Sequence, residues 1–472
     1  MSSAKRHRSG TVQVTAPFDG SPIGHVPDAT GPDVETALAT AHGLYRNRDG
    51  WLSKPKRIEI LNRAAGLIRE RRETLALAAA REGGKPLVDS LVEIDRAAEG
   101  VEVCVEVLKA EGGRVIPMGL NAASAGRLAC TQLEPIGVVV AVSAFNHPFN
   151  LIVHQACPAV AVGCPVIVKP ADVTPLSCVA LADILYEAGL PKEWCQVVLP
   201  SDLALASRLV SDERVAFFSF IGSSKVGWML RSKLAPGARC ALEHGGVAPL
   251  IVAADADLDD ALPRICKGGF YHAGQVCVSV QRVYVHASIV EEVASRLAAM
   301  ADKLVVGDPT AASTQVGPLI RPAEVDRVES WVDAAVAKGA RCVAGGKRLG
   351  ERCFQPTVLV DPPGDVEVSR LEIFGPVVCV YTFETLDDAI ARANSLPVSF
   401  QAAVMTRSID TAMRVYKRID ATAVMVNEHT AFRVDWMPFA GARVSGHGVG
   451  GIPATMHEMQ TEKMLVLRSD EL

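Results

Sequence analysis

From about residue 135, short unbroken apolar runs alternate with segments whose apolar positions recur at helical spacing. "IGVVVAVSAF" predicts a buried strand and "HQACPAVAVG" the helix after it. "PVIVK" predicts a second strand. A helix over 175–190 follows, with Thr174 as N-cap, Pro175 at its first position and Gly189 near its end. "QVVLP", a helix over "DLALASRLVSD", the strand "VAFFSF" and a helix beginning near "SSKVGWMLRSKL" continue the series. Strands that are apolar at every position must be covered on both faces, which predicts a parallel sheet between helical layers. The expected fold class is α/β, doubly wound with right-handed crossovers.

Residues 33–110 read as mostly helical, with "RERR" near residue 70 on a solvated face. "GGRVIP" and "GRLACTQLEP", over 113–135, interrupt the α/β pattern as a protruding hairpin. After residue 245 a second α/β set begins: "PLIVA", "QRVYVH", a helix over 288–304, "RCVAGG", "PVVCVYTF" and "AVMVN". "MPFAGARVSGHGVGG" reads as a glycine-rich loop. Without repeats or low-complexity linkers, the domains are expected to interleave.

Composition narrows the function. A chain of 472 residues, 49% of them hydrophobic, is long for a single core. A net charge of −5 with no long basic run excludes a nucleic-acid surface, and "AKRHR" at 4–8 reads as a solvated tail. No apolar leader follows that tail, and the longest apolar run, ten residues, is too short to cross a bilayer. A cytoplasmic protein is expected, and the terminal "SDEL" is not read as an ER-retention signal. The 12 cysteines include no C-x-x-C pair, which argues against a metal ribbon or a dithiol. Most are expected to be reduced packing residues, Cys164 and Cys379 among them.

Four stretches place polar or reactive residues at strand ends, where ligands of open α/β sheets bind. Asn146 in "FNHPFN" offers an amide to a developing oxyanion, or else caps the next helix. In "VIVKPADVTP", Lys169 and Asp172 offer groups to ribose hydroxyls, or else form a solvated loop. Gly222 and Ser223 in "FSFIGSSKVGWML" present a helix N-terminus to a phosphate, although the glycine spacing is neither G-x-G-x-x-G nor a Walker loop. Glu243 in "ALEHGG" and Cys277 in "FYHAGQVCVSV" supply a base and a nucleophile, or else a capping acid and a buried thiol.

Taken in order over nearly the whole chain, "FNHPFN", "KPADVTP", "IGSSKVG", "LEHGG", "HAGQVC", "EIFGPV", "VMVN" and "MPFAGARVSGHG" resemble the NAD(P)-dependent aldehyde dehydrogenase superfamily. The resemblance implies two doubly wound α/β domains with a β-hairpin oligomerisation arm. The dinucleotide-binding domain would span 1–112 and 136–245, the catalytic domain 246–454, and the arm 113–135 with 455–472. It implies Cys277 as nucleophile, Glu243 as general base and Asn146 as oxyanion donor. Lys169 and Asp172 would meet the adenosine ribose, with Lys169 also counted in the catalytic set. Gly222 and Ser223 would lie by the pyrophosphate, and Glu372 and Phe374 by the nicotinamide ribose and ring. NAD is expected over NADP because a carboxylate at 172 accepts ribose hydroxyls and repels a 2′-phosphate. A homodimer or homotetramer is expected.

"FNHP" with "AFRVDWMPF" is similar to the branch holding lactaldehyde, non-phosphorylating glyceraldehyde-3-phosphate and phosphonoaldehyde dehydrogenases. His147, Arg127 and Arg433 would then form an anion site for a phosphonate, phosphate or carboxylate, and the substrate would be a small hydrophilic aldehyde. Several positions depart from the family pattern: Phe145 and His147 flank the asparagine, Val247 follows "EHGG", "SGHG" lacks an Arg-Glu continuation, and Val276 stands where phosphate-binding relatives carry arginine. A CoA-acylating dehydrogenase, which needs no water-activating base, and a non-catalytic relative are the rival readings.

Overall fold

The computed structural model describes residues 10–472, so the basic stretch at 4–8 lies outside the described residues. The first sheet has six strands in the order Gly446–His447, Arg239–Glu243, Val215–Ile221, Val138–Val142, Val166–Lys169, Cys195–Val197. All but the first are parallel. Every residue of the run 138–141 is fully buried, as its unbroken apolar character requires.

Two helix starts depart from the local reading. The helix after "PVIVK" is Leu176–Glu187, and Thr174 is buried with its hydroxyl unpartnered instead of capping. Glu82, from the helix Arg72–Gly83, reaches across instead: its carboxylate accepts from the Leu176 and Ser177 amides and from the Ser177 hydroxyl. Burial pushes this carboxyl up to about 7. The helix Asn150–Val162 is capped in the same way by Glu93, which accepts from the amides of Phe149 (3.0 Å) and Asn150 (2.9 Å). Asn146 is therefore not a cap.

Glu93 also pairs with Lys85, and both side chains are fully buried. Breaking a buried pair strands the remaining charge, so Glu93→Gln should destabilise the protein by about 3–5 kcal/mol. The check is the denaturant midpoint of the full-length chain. An unchanged midpoint would mean that Lys85 is carried by other groups.

The second sheet has seven strands in the order Arg341–Ala344, Thr357–Val360, Val377–Phe383, Arg282–His286, Pro249–Val252, Gln401–Met405, Ala423–Val426. Only Arg341–Ala344 runs antiparallel. Thr357–Val360, Gln401–Met405 and the helices Leu258–Phe270 and Pro322–Ala337 were not expected from the sequence, and the helix read over 288–304 is Val290–Ala301. Leu258–Phe270 carries Pro263 and ends in Gly268 and Gly269, which mask its helical period.

Val115–Ile116, Arg127–Pro135 and Gln460–Arg468 form a separate three-stranded antiparallel sheet. The last strand is exposed along nearly its whole length. The glycine-rich loop is not wholly irregular: Gly446–His447 pairs with Glu243 and Leu242, completing the first sheet from far along the chain. Among the described residues no helix is long and apolar enough to cross a membrane.

Candidate active site

The chain leaves Val138–Val142 toward Val166–Lys169 on one side and returns to Val215–Ile221 on the other. A crevice opens at such a switch of direction, beyond the carboxyl ends of the strands. Register brings those ends level, with Val142 opposite Lys169 and Phe220, and Ile221 opposite Glu243. The loop 271–280, leaving Leu258–Phe270, faces the crevice from the second sheet. The cavity of about 1000 Å³ between them is lined by Asn146, His147, Lys169, Asp172, Gly222, Ser223, Glu243, Cys277, Glu372, Phe374 and Arg433. Of the residues predicted for the site, Arg127 alone is elsewhere.

The loop 271–280 is bent by force of packing. His272 and Ala273 both adopt left-handed backbone, at φ 49° and 54°, a strain of about 1–3 kcal/mol each. Gly274 follows at φ +69°, and a Cβ there would lie 2.0 Å from the Gly375 carbonyl oxygen. Gln275 fastens the turn: its amide oxygen accepts from Ile320 N at 2.9 Å, and its amide nitrogen donates to the carbonyls of Pro318 and His272. The Gln275 carbonyl in turn accepts one Asn146 Nδ2 proton at 2.9 Å, which orients the amide beside Cys277.

Cys277 sits deep in the fold yet is open to the cavity. Burial first, then the carboxylates of Glu372 and Glu243, push its thiol up to about 12, while Arg433 and its own backbone N–H favour the thiolate. Burial raises the Glu243 carboxyl as well, with Arg433 opposing. Glu243 lies against Gly450, where a Cβ would come within 2.1 Å of Oε1. Glu372 lies over Gly245 in the same manner, at 1.7 Å from such a Cβ. Gly245 thus makes room for a second carboxylate, whereas a Cβ at Gly246 would meet Phe400 at 3.3 Å. Burial pushes Glu372 up to about 8, and its Oε1 is buried without a partner.

Along the first sheet, Lys169 Nζ lies 2.7 Å from Asp172 Oδ1. Gly222 leaves bare backbone at the turn, since a Cβ would meet the Phe220 ring at 2.9 Å. Ser223 stands at the N-cap of Ser224–Arg231. Gly227 has a packing role: a Cβ there would be 2.0 Å from His244, whose Nδ1 bonds the Gly222 carbonyl.

At the other end of the cavity, His147 Nε2 lies 2.9 Å from the Tyr271 hydroxyl. Burial, with Lys85 and other nearby cations, holds this imidazole well below its ordinary pKa, so it is neutral. Arg433 stacks on Phe439, its guanidinium carbon 3.6 Å from the ring centroid. Arg96 also lines the cavity but is paired with both oxygens of Asp435, at 3.1 and 2.6 Å. Arg127 begins the arm strand opposite Arg468 and donates to the carbonyls of Ala123 and Ala125. The strand register carries it out along the arm and away from the cavity, so the expected anion site loses that member.

Gln275, Tyr271, Arg96, His154 and Asp435 escaped the sequence reading. Arg96 looks like any helix-surface arginine. His154, a polar residue inside the apolar run "LIVHQACPAV", left the one usable signal.

The model of the aldehyde dehydrogenase family matches residues 4–465. The chain belongs to that family. This aldehyde dehydrogenase is 38% identical to the 3-sulfolactaldehyde dehydrogenase of Priestia aryabhattai, over 97% of this chain and 94% of the relative. Among solved structures it is similar to aldehyde dehydrogenase 21 of Physcomitrella patens in complex with the reaction product succinate (TM-score 0.93, 32% identity, 98% and 96% of the two chains). It is also similar to the glyceraldehyde-3-phosphate dehydrogenase GapN of Methanocaldococcus jannaschii complexed with NADP (TM-score 0.92, 32% identity, 98% and 100%). The expected fold class, an aldehyde dehydrogenase-like α/β architecture, is the one observed.

Proposed function

We propose that this aldehyde dehydrogenase oxidises a small, hydrophilic aldehyde bearing an anionic group to the carboxylic acid, with NAD(P) as oxidant and Cys277 as the point of covalent attachment. The carrying observation is that Cys277, Glu243, Asn146 and a guanidinium that makes no ion pair among the described residues line one cavity that continues to Lys169 and Asp172.

The residues fit a dinucleotide. The bare turn at Gly222 admits a phosphate, Asp172 is an acceptor for ribose hydroxyls, and the orphaned Glu372 Oε1 calls for a hydroxyl donor. NAD is favoured over NADP by the carboxylate at 172. Bound there, NAD(P) supplies the hydride acceptor.

Cys277 attacks as the thiolate, the form that Arg433 and its own backbone N–H favour, and its proton passes to solvent, which leaves Glu243 unprotonated for the later step. The sulfur joins the carbonyl carbon while the carbonyl oxygen gains negative charge. Asn146 has a second Nδ2 proton to give that oxygen, and the Cys277 backbone N–H is the other donor. After hydride loss the acyl group is a thioester on Cys277. Glu243 then takes a proton from water, the hydroxide attacks, and the acid leaves as the thiol is restored. A CoA-acylating enzyme would have no use for Glu243, and a non-catalytic relative would have no use for the whole set.

The substrate class rests on charge. Lys85 is matched by Glu93 and Arg96 by Asp435, whereas Arg433 makes no ion pair among the described residues. An anionic group on the aldehyde would supply the missing partner, and the sulfonated substrate named for the Priestia relative is of that kind. Arg433→Met should raise KM for 3-sulfolactaldehyde by about 10- to 100-fold, the worth of a charged hydrogen bond, with a smaller effect on lactaldehyde. Equal effects on both would remove Arg433 from anion recognition. The exposed strand Gln460–Arg468 is the natural edge for a homodimer or homotetramer, which light scattering of the full chain would measure.

A further inference from the structure

Arg433 has a carboxylate two residues away in its own loop, yet does not pair with it. Both Asp435 oxygens are engaged: Oδ1 by Arg96 Nη2 at 2.6 Å, by His154 Nε2 at 2.6 Å and by Asn150 Nδ2 at 3.5 Å, and Oδ2 by Arg96 Nε at 3.1 Å. His154 lies between Asp435 and Arg433. It projects from Asn150–Val162, is 3% exposed, and its Nδ1 is 3.2 Å from Arg433 Nη2.

The partners settle the tautomer. Nε2 faces a carboxylate and so carries the proton, and Nδ1 faces an N–H donor and so presents its lone pair. Burial and the charge of Arg433 hold His154 down to about 4, which keeps the ring neutral throughout the working pH range. One imidazole thus donates to Asp435 and accepts from Arg433. It ties the arginine to the acid without letting the two charges meet. Phe439 fixes the guanidinium plane from beneath, and the buried Nε has no partner.

We infer that His154 is a positioning residue for substrate selection: a neutral two-ended bridge that aims Arg433 at the cavity and keeps its charge from being cancelled by Asp435. This rests on the reading that the site takes an anionic aldehyde. Without the bridge, Arg433 would turn to Asp435, and the cavity would lose its free cation while keeping Cys277 and Glu243.

The test uses alkylation of Cys277 in the full-length enzyme by iodoacetate and by iodoacetamide, followed by mass spectrometry of the Cys277 peptide. The ratio of the two rates cancels the thiolate fraction and reports the pull on an anion. Arg433→Met and His154→Phe should each lower that ratio by about tenfold. His154→Gln, whose amide can both donate and accept, should hold it within about twofold of wild type. Should His154→Phe not fold, His154→Asn takes its place, since the shorter amide cannot span both partners and the same fall is expected. A ratio unchanged by the disruptive His154 variants, unchanged by Arg433→Met, or lowered as far by His154→Gln as by His154→Phe, would each overturn the inference. If wild type oxidises lactaldehyde as readily as 3-sulfolactaldehyde while the alkylation ratios behave as expected, the substrate reading falls and the bridge stands.

Discussion

Cys277→Ala is expected to lower dehydrogenase turnover by on the order of 10⁴-fold or more, the scale seen when a covalent nucleophile is removed, while leaving NAD(P) affinity nearly unchanged. No other thiol can take over. Of the remaining eleven, most are buried, and several are pushed far up by burial, Cys157 and Cys104 among them. Cys342 is exposed but lies beside Gly346, at the far edge of the second sheet. The measurement is steady-state NADH formation beside a fluorescence titration of NADH binding. Turnover within about tenfold of wild type would hand the chemistry to another group. Lost cofactor binding would mean that the substitution had disturbed the crevice itself.

Glu243→Gln separates the two halves of the reaction. Acylation and hydride loss should proceed, and hydrolysis should slow by about 10²- to 10⁴-fold, the usual contribution of a general base. NADH should appear as a burst of one equivalent per active site followed by a slow phase. The pH profile carries the sign: a carboxyl raised by burial becomes a base only above the ordinary carboxylate range, so wild-type deacylation should climb as pH rises through that raised pKa. In the glutamine variant that limb should be absent. Steady turnover at the wild-type rate would turn attention to Glu372, which is pushed up to about 8 and also faces Cys277.

The parallel strands of the first sheet were legible because burial on both faces demands runs without polar residues, and 138–141 is such a run. Cys277, Glu243 and Asn146, which the family resemblance singled out and local pattern alone left open as a buried thiol, a capping acid and a cap, line one cavity. What stayed hidden is carried by partners distant in the chain. Glu82 and Glu93 cap helices that begin 94 and 57 positions later, so local capping rules named Thr174 and offered Asn146 as a cap. Arg127 looked like a site residue because composition says nothing of where a strand points. The second sheet was only partly readable because its missed strands, Thr357–Val360 and Gln401–Met405, are short runs that each open on a polar residue, and its helix Leu258–Phe270 contains a proline and two glycines near its end.

The pairing of Gly446–His447 with Glu243 and Leu242 has a bearing on how this protein comes into being. The edge that carries Glu243 stays unzipped until the ribosome has read some 200 codons past it. A fragment cut after residue 245 could assemble the apolar strands but would leave that margin frayed and the carboxylate adrift. The enzyme is therefore not divisible into a nucleotide carrier and a chemical module that could be swapped with those of a cousin. Its two halves mature together, once residues 446–447 have been made.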